Sequence, residues 1–169
     1  MKYKKLILRD VEGDGNCFYS ALAKQIEKHG IAFTHEEMRE FIIKQIENNQ
    51  ELYKDFIPEG IDKFIADNLE VGTWADNVII QAAANELELN IEIHLADGTI
   101  TTISPNKNSI DTIILYFTGN HYMSVEGIYY LEDSISNNTV IAFDCTTVTF
   151  PPLESIHNSN GLFDIISDF

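Results

Sequence analysis

Cysteine is scarce in this chain. It occurs twice in 169 residues, as Cys17 and Cys145, too rarely for a disulfide framework or a cysteine-rich metal site. A reducing, cytoplasmic compartment is therefore expected, either of the producing cell or of a host cell into which a pathogen delivers the protein. Basic residues are also few, 11 Lys and Arg against 27 Asp and Glu, for a formal net charge of −16. Nucleic acid and anionic membrane surfaces demand clustered Lys and Arg, so neither is expected as a partner, and a basic partner is the natural complement. No apolar run is long enough to cross a membrane. The basic-then-apolar start, residues 1–8, is too short for a signal peptide and lacks a small-residue cleavage site. It predicts a first strand instead. Repeats and low-complexity segments are lacking as well.

What is present reads as one soluble α/β domain, since 44% hydrophobic and 22% charged residues supply a sizeable core. Its most informative stretch is Glu12-Gly13-Asp14-Gly15-Asn16-Cys17-Phe18-Tyr19-Ser20-Ala21-Leu22. A polar turn here ends in a thiol at the first residue of a helix whose apolar positions are Phe18, Ala21, Leu22 and Ile26. Unpaired backbone N–H groups and the positive end of the helix dipole favour a negative charge at that position, and a thiolate is such a charge. Gly13 and Gly15 let the backbone fold back so that its N–H groups converge on a small anion.

Further along, Thr34 and Glu37 have the spacing of a capping box and Phe33 and Met38 that of a hydrophobic staple. Met38, Phe41, Ile42 and Ile46 then form one core-facing stripe. Shorter helical segments follow around residues 52–56 and 61–69. Residues 72–76 read as the capped start of an alanine-rich helix. Ile91, Ile93 and Leu95 alternate with Glu92 and His94, which predicts a strand with His94 on its solvated face; Asp97-Gly98 turns the chain into a return strand. Residues 113–117 form a continuous apolar run, the pattern of a strand buried on both faces. His121 then opens another strand, where its side chain would project from the end of the sheet toward a helix-borne nucleophile. Two more strands are expected at residues 129–131 and 139–143, joined by a loop at Ser136-Asn137-Asn138. Pro151-Pro152 would end regular structure, leaving a loosely packed tail or the boundary with a longer protein. Cys145 reads as packing.

The two clusters resemble the ovarian-tumour (OTU) cysteine proteases, most of which are deubiquitinases. Asp14-Gly15-Asn16-Cys17-Phe18-Tyr19 is similar to the family's nucleophile motif and His121-Tyr122-Met123-Ser124-Val125 to its histidine motif. Between them, Trp74-Ala75-Asp76 and the helix and strand that follow look like the family's connecting segment. The likeness spans residues 6–126, which delimits a catalytic core at residues 1–126, with residues 127–169 as a C-terminal extension that packs on the core or marks the boundary with a longer protein. It implies an α+β, papain-like fold in which helices flank a small, mostly antiparallel sheet, with the site where the first helix meets a core strand.

For function, the resemblance implies a thiol-dependent isopeptidase acting on ubiquitin or polyubiquitin as a monomer, with no metal or cofactor. Cys17 would be the nucleophile and His121 the base. The turn through Gly15 and Asn16 would supply oxyanion donors, and Asp14 would hold its shape. Glu12, Trp74 and Tyr122 are candidate substrate contacts, although packing suits Tyr122 and helix anchoring suits Trp74. The family often places Asn or Asp two residues after the histidine to orient the imidazole. Here that position is Met123, so Asp14 or, more distantly, Asp144 would have to stand in. A ubiquitin-binding pseudo-enzyme and a protease for a ubiquitin-like modifier are the alternatives.

Overall fold

The helices begin where the capping chemistry of the sequence places them. At the first residue before α2 (His35–Asn48), Thr34 accepts from the Glu37 N–H while the Glu37 carboxylate accepts from the Thr34 N–H, so two otherwise orphaned donors are paired. Asp76 likewise accepts from the Ile79 N–H and opens α5 (Asn77–Leu87). The computed structural model describes residues 2–132, 141–142 and 162–168. Around these two helices lie β1 (Lys2–Arg9), α1 (Cys17–Glu27), α3 (Gln50–Tyr53) with a 3-10 turn at Lys54–Phe56, and α4 (Ile61–Leu69). The chain continues through β2 (Asn90–Leu95), β3 (Ile100–Ile103), β4 (Thr112–Phe117), β5 (Tyr122–Glu132), β6 (Ile141–Ala142) and β7 (Leu162–Asp168).

The strands form one sheet in the order β3-β2-β4-β5-β1-β7, with β6 beside β5. Among the described residues, only β2 and β4 pair in parallel; the other pairs are antiparallel. The fold is thus α+β with a mostly antiparallel sheet. The main core lies between one sheet face and the helices, where Leu22, Ile42, Ile79, Ile91 and Leu115 are fully enclosed. A smaller cluster of Leu6, Leu8, Ile114, Tyr116 and Val125 contains no helical residue. Strand alternation explains the division, since successive side chains leave a strand on opposite faces.

One buried side chain fixes α1 on the sheet. Gln25 donates to Ser124 Oγ at 2.6 Å and to the Val125 carbonyl at 2.7 Å, and its Oε1 accepts from the Ile114 N–H at 3.4 Å. Lys28, on the next turn, also donates to the Val125 carbonyl and pairs with Glu126. Helix α1 is therefore pinned to both β4 and β5.

Three expectations change. His94 is buried, 3% exposed, and not solvated. Its Nδ1 accepts from the Lys4 ammonium at 2.9 Å and its Nε2 faces the Glu92 carboxylate. An interior strand has two covered faces, so alternation with polar residues does not by itself mark a wet side. The separate strand expected at residues 129–131 is instead the second half of β5, which runs unbroken past Gly127 with one irregularity where Ile7 pairs Gly127 but Leu8 pairs Val125. In place of a loosely packed tail, β7 pairs along β1 from Tyr3 to Arg9. Of the strand expected at 139–143, Ile141 and Ala142 pair with β5. The loop at Ser136-Asn137-Asn138, together with Asp144, Cys145 and Pro151-Pro152, lies outside the described residues.

Burial, followed by the nearby Lys4 charge, lowers the His94 pKa below its ordinary value of 6.5, against the opposing pull of Glu92. The folded state therefore favours neutral His94, and this contribution to stability is present above about pH 6.5 and lost as pH falls through the lower folded value. Urea midpoints measured from pH 7.5 to 5 should fall more steeply for the wild type than for His94→Gln. Parallel slopes would contradict this assignment.

Candidate active site

The turn before α1 is built by side chain and backbone together. Asp14 Oδ1 accepts from the Asn16 N–H at 2.9 Å, an Asx turn that closes the loop on itself. Hydrogen bonds from Asn16 hold the Asp14 carboxyl below the usual carboxylate range. Gly15 has φ +84, and a Cβ there would stand 2.1 Å from the Gly72 carbonyl oxygen. Conformation and space thus both demand glycine. The Asn16 side-chain oxygen accepts from the Gly72 N–H at 2.8 Å, which ties the turn to the segment before α5. Cys17 follows as the first residue of α1, with 8% of its surface exposed.

His121 precedes β5 at the end of a tight turn closed by the Thr118 N–H donating to the His121 carbonyl at 3.0 Å. Its Nε2 lies 2.7 Å from Asp10 Oδ1. The same Asp10 oxygen accepts from the Val11 N–H at 2.9 Å, which fixes the carboxylate. The other ring nitrogen, Nδ1, faces the loop that leads to Cys17: a Cβ on Gly13 would lie 3.8 Å from it. The imidazole is held through Nε2 by an anion, leaving Nδ1 on the side of the loop that carries Cys17. A carboxylate in this place fixes the ring's orientation and tautomer and stabilises the imidazolium when the ring takes a proton.

Asp10 is therefore the residue that stands in for the missing Asn or Asp after His121. Asp14, the first candidate for that task, has its carboxylate engaged within the turn before Cys17; Asp144 lies outside the described residues. The geometry of β1 explains the substitution. Leu6 and Leu8 belong to the small cluster that Met123 and Val125 also join, and Leu8 pairs Val125 while Arg9 pairs Ser124. Continuing both alternations by one step brings Asp10 and His121 to the same face and the same end of neighbouring strands. Met123 instead fills that apolar cluster.

The remaining candidates fall into distinct places. Tyr122 is a packing residue, stacked on Phe117 at 4.4 Å and set edge-on to Phe18 at 5.3 Å. Burial, and then the Cys17 charge, push its phenol pKa upward. Trp74 is 62% exposed, so it does not anchor its helix in the core. It lies two residues beyond Gly72, near the nucleophile turn. Glu12 is exposed on the loop between β1 and Cys17. Among the described residues, no group of three or more His, Cys, Asp or Glu could hold a metal ion. Sequence reasoning missed Asp10, Gln25 and Arg39. Alternation through Leu6, Leu8 and Asp10 is the one local signal for the first of these, and it becomes useful only once β1 is known to lie beside β5.

A family model described as OTU-like cysteine protease matches residues 12–143, a span that begins two residues after Asp10. The chain is 33% identical over 129 residues to OVARIAN TUMOR DOMAIN-containing deubiquitinating enzyme 11 of Arabidopsis thaliana, covering 73% of this chain and 52% of that protein. It is 35% identical over 127 residues to OTU domain-containing protein 3 of Mus musculus, covering 73% and 32%. The chain thus spans about half or less of these relatives' length. Among solved structures, the OTU domain of OTUD1 aligns with a TM-score of 0.60 and 25% identity, over 70% of this chain and 83% of that one. An OTU domain in complex with ubiquitin aligns with a TM-score of 0.60 and 22% identity, over 82% and 76%.

With Asp10 as the imidazole's partner, Asp10→Ala should lower peptidase kcat about a hundredfold, the lower end of what a positioned general base contributes. Met123→Asn should leave kcat unchanged, because the ring is already held. Steady-state kinetics decide both, and a wild-type kcat in Asp10→Ala would contradict the assignment.

Proposed function

The chain belongs to the family of OTU-like cysteine proteases, and from that premise we propose that it is a deubiquitinase that hydrolyses ubiquitin from lysine side chains or from other ubiquitins. The observation that carries this reading is the Asp10–His121 pair set against the loop of Cys17. A module that only binds ubiquitin needs neither a thiol at a helix N-terminus nor an oriented imidazole. The names of the relatives, several of them deubiquitinating enzymes, support the choice of ubiquitin.

The reaction follows from these positions. His121 Nδ1 takes the Cys17 proton, and the thiolate attacks the carbonyl carbon of the ubiquitin C-terminal glycine. With the Asn16 N–H already held by Asp14, the oxyanion forms against the backbone N–H groups of Gly15 and Cys17, where each well-placed donor is worth about a hundredfold or more in rate. Asp10 steadies the imidazolium through Nε2–H. The imidazolium then protonates the departing lysine amine as the C–N bond breaks, leaving a thioester. Water, deprotonated by His121, attacks that thioester, and the C–S bond breaks to release ubiquitin and restore the thiol. Glu12 suits the basic residue that precedes the Gly-Gly tail. Exposed Trp74, with Val71 60% exposed beside it, offers apolar surface to the body of the modifier.

Turnover of a fluorogenic ubiquitin C-terminal amide tests the proposal. The wild type should cleave it. Cys17→Ala and His121→Ala should each lose about a thousandfold or more while still binding ubiquitin, because nucleophile and base act as a unit. Ubiquitin binding by the wild type without cleavage would make the protein a pseudo-enzyme. Cleavage only of a conjugate with a ubiquitin-like tail would reassign the substrate.

A further inference from the structure

We propose that Arg39 is a positioning residue for Cys17: by holding the Asn16 side chain away from α1, it fixes the turn before Cys17 and leaves the N–H groups of the first helical turn uncapped, where they favour the thiolate. The inference rests on Cys17 being the nucleophile. Arg39 sits on α2 and is 1% exposed, among the most enclosed large side chains described. Its Nη2 donates to Asn16 Oδ1 at 2.7 Å and to the Thr73 carbonyl at 2.9 Å, and its Nη1 donates to the Asn68 carbonyl at 2.8 Å. The guanidinium lies 4.0 Å from the centre of the Tyr19 ring. One planar fork thus gathers the nucleophile turn, the end of α4 and the segment that follows it.

Asn16 shows what this arrangement does. It occupies the N-cap position of α1, where asparagine is among the preferred residues because its side-chain oxygen accepts from the second or third helical N–H. Here it makes no such bond. Its Oδ1 instead accepts from Arg39 and from the Gly72 N–H. An N-cap side chain folded over the helix start would occupy the Phe18 or Tyr19 N–H groups, which help to make the helix end favourable to a Cys17 thiolate. Turned toward Arg39, it leaves them open while keeping the turn rigid. The arrangement also brings a buried cation close behind the helix N-terminus. Asp14 and Glu36 lie close enough to favour its charged form, but among the described residues no carboxylate forms an ion pair with it, so part of its positive field remains for a thiolate at Cys17.

The test is a double-mutant cycle on Arg39→Lys and Asn16→Ala, with two readouts on the folded fraction of each variant. The first is kcat and KM for ubiquitin amide hydrolysis. The second is the pH profile of Cys17 alkylation by iodoacetamide, located by peptide mass, which requires no ubiquitin. Each single variant should lower kcat about tenfold with KM little changed and should move the alkylation profile to higher pH. The double variant should be no worse than the poorer single, since both changes break one linkage. Lower thermal midpoints with wild-type kcat and profile in the folded molecules would make Arg39 merely structural and overturn the proposal, as would additive losses in the double variant. A wild-type Cys17 that alkylates no faster than a free thiol would instead overturn the nucleophile reading on which the proposal rests.

Discussion

Gln25 joins α1 to β5 and β4 through three buried hydrogen bonds, and that junction sets where the thiol can stand relative to the imidazole. Cys17 is eight residues up the helix from Gln25, about 12 Å at 1.5 Å per residue. His121 is three residues before Ser124 and four before Val125, about 10 to 13 Å along a strand. Two arms of similar length leave one anchor and end at the same edge of the fold. Because the anchor is buried, either arm can shift only by leaving a carboxamide unsatisfied, which is expensive in a low-dielectric interior. The remaining contacts refine the ends of the arms: Asn16 and Gly72 shape the turn, and Asp10 turns the ring.

Sheet order decides who supplies that last contact. Placing the N-terminal strand β1 next to β5 brings a carboxylate from the start of the chain to the histidine, a pair 111 positions apart in sequence. The residue two after the histidine is then released from polar duty, and Met123 serves packing instead. A carboxylate partner for an imidazole can thus come from the neighbouring strand rather than from two residues along the same one, because cross-strand neighbours are about as close as residues two apart on one strand.

Local chemistry was legible in the sequence. The capping box at Thr34 and Glu37, the Asp76 cap and the apolar run of β4 each depend on residues a few positions apart, and all three formed as read. The turn before Cys17 was legible as a turn for the same reason: glycine and aspartate each have a short-range task there. Asp10, Gln25, Arg39 and His94 were not legible as what they are, because each is defined by a partner from a distant segment. Gln25 reads as an ordinary polar helix position until β5 is laid beneath it, and Arg39 looks like a solvated residue on an amphipathic helix. His94 was misread for a related reason: its period-two pattern is correct, but both faces of β2 are covered.

The proposed deubiquitinase depends on one activated thiol, Cys17, in a site that accepts ubiquitin's C-terminus. Intact mass after incubation with ubiquitin bearing a C-terminal electrophile addresses it directly, with Cys17→Ala and Cys145→Ala alongside. A single ubiquitin adduct is expected on the wild type and on Cys145→Ala, and none on Cys17→Ala. No adduct on the wild type, or an adduct that persists in Cys17→Ala, would contradict it.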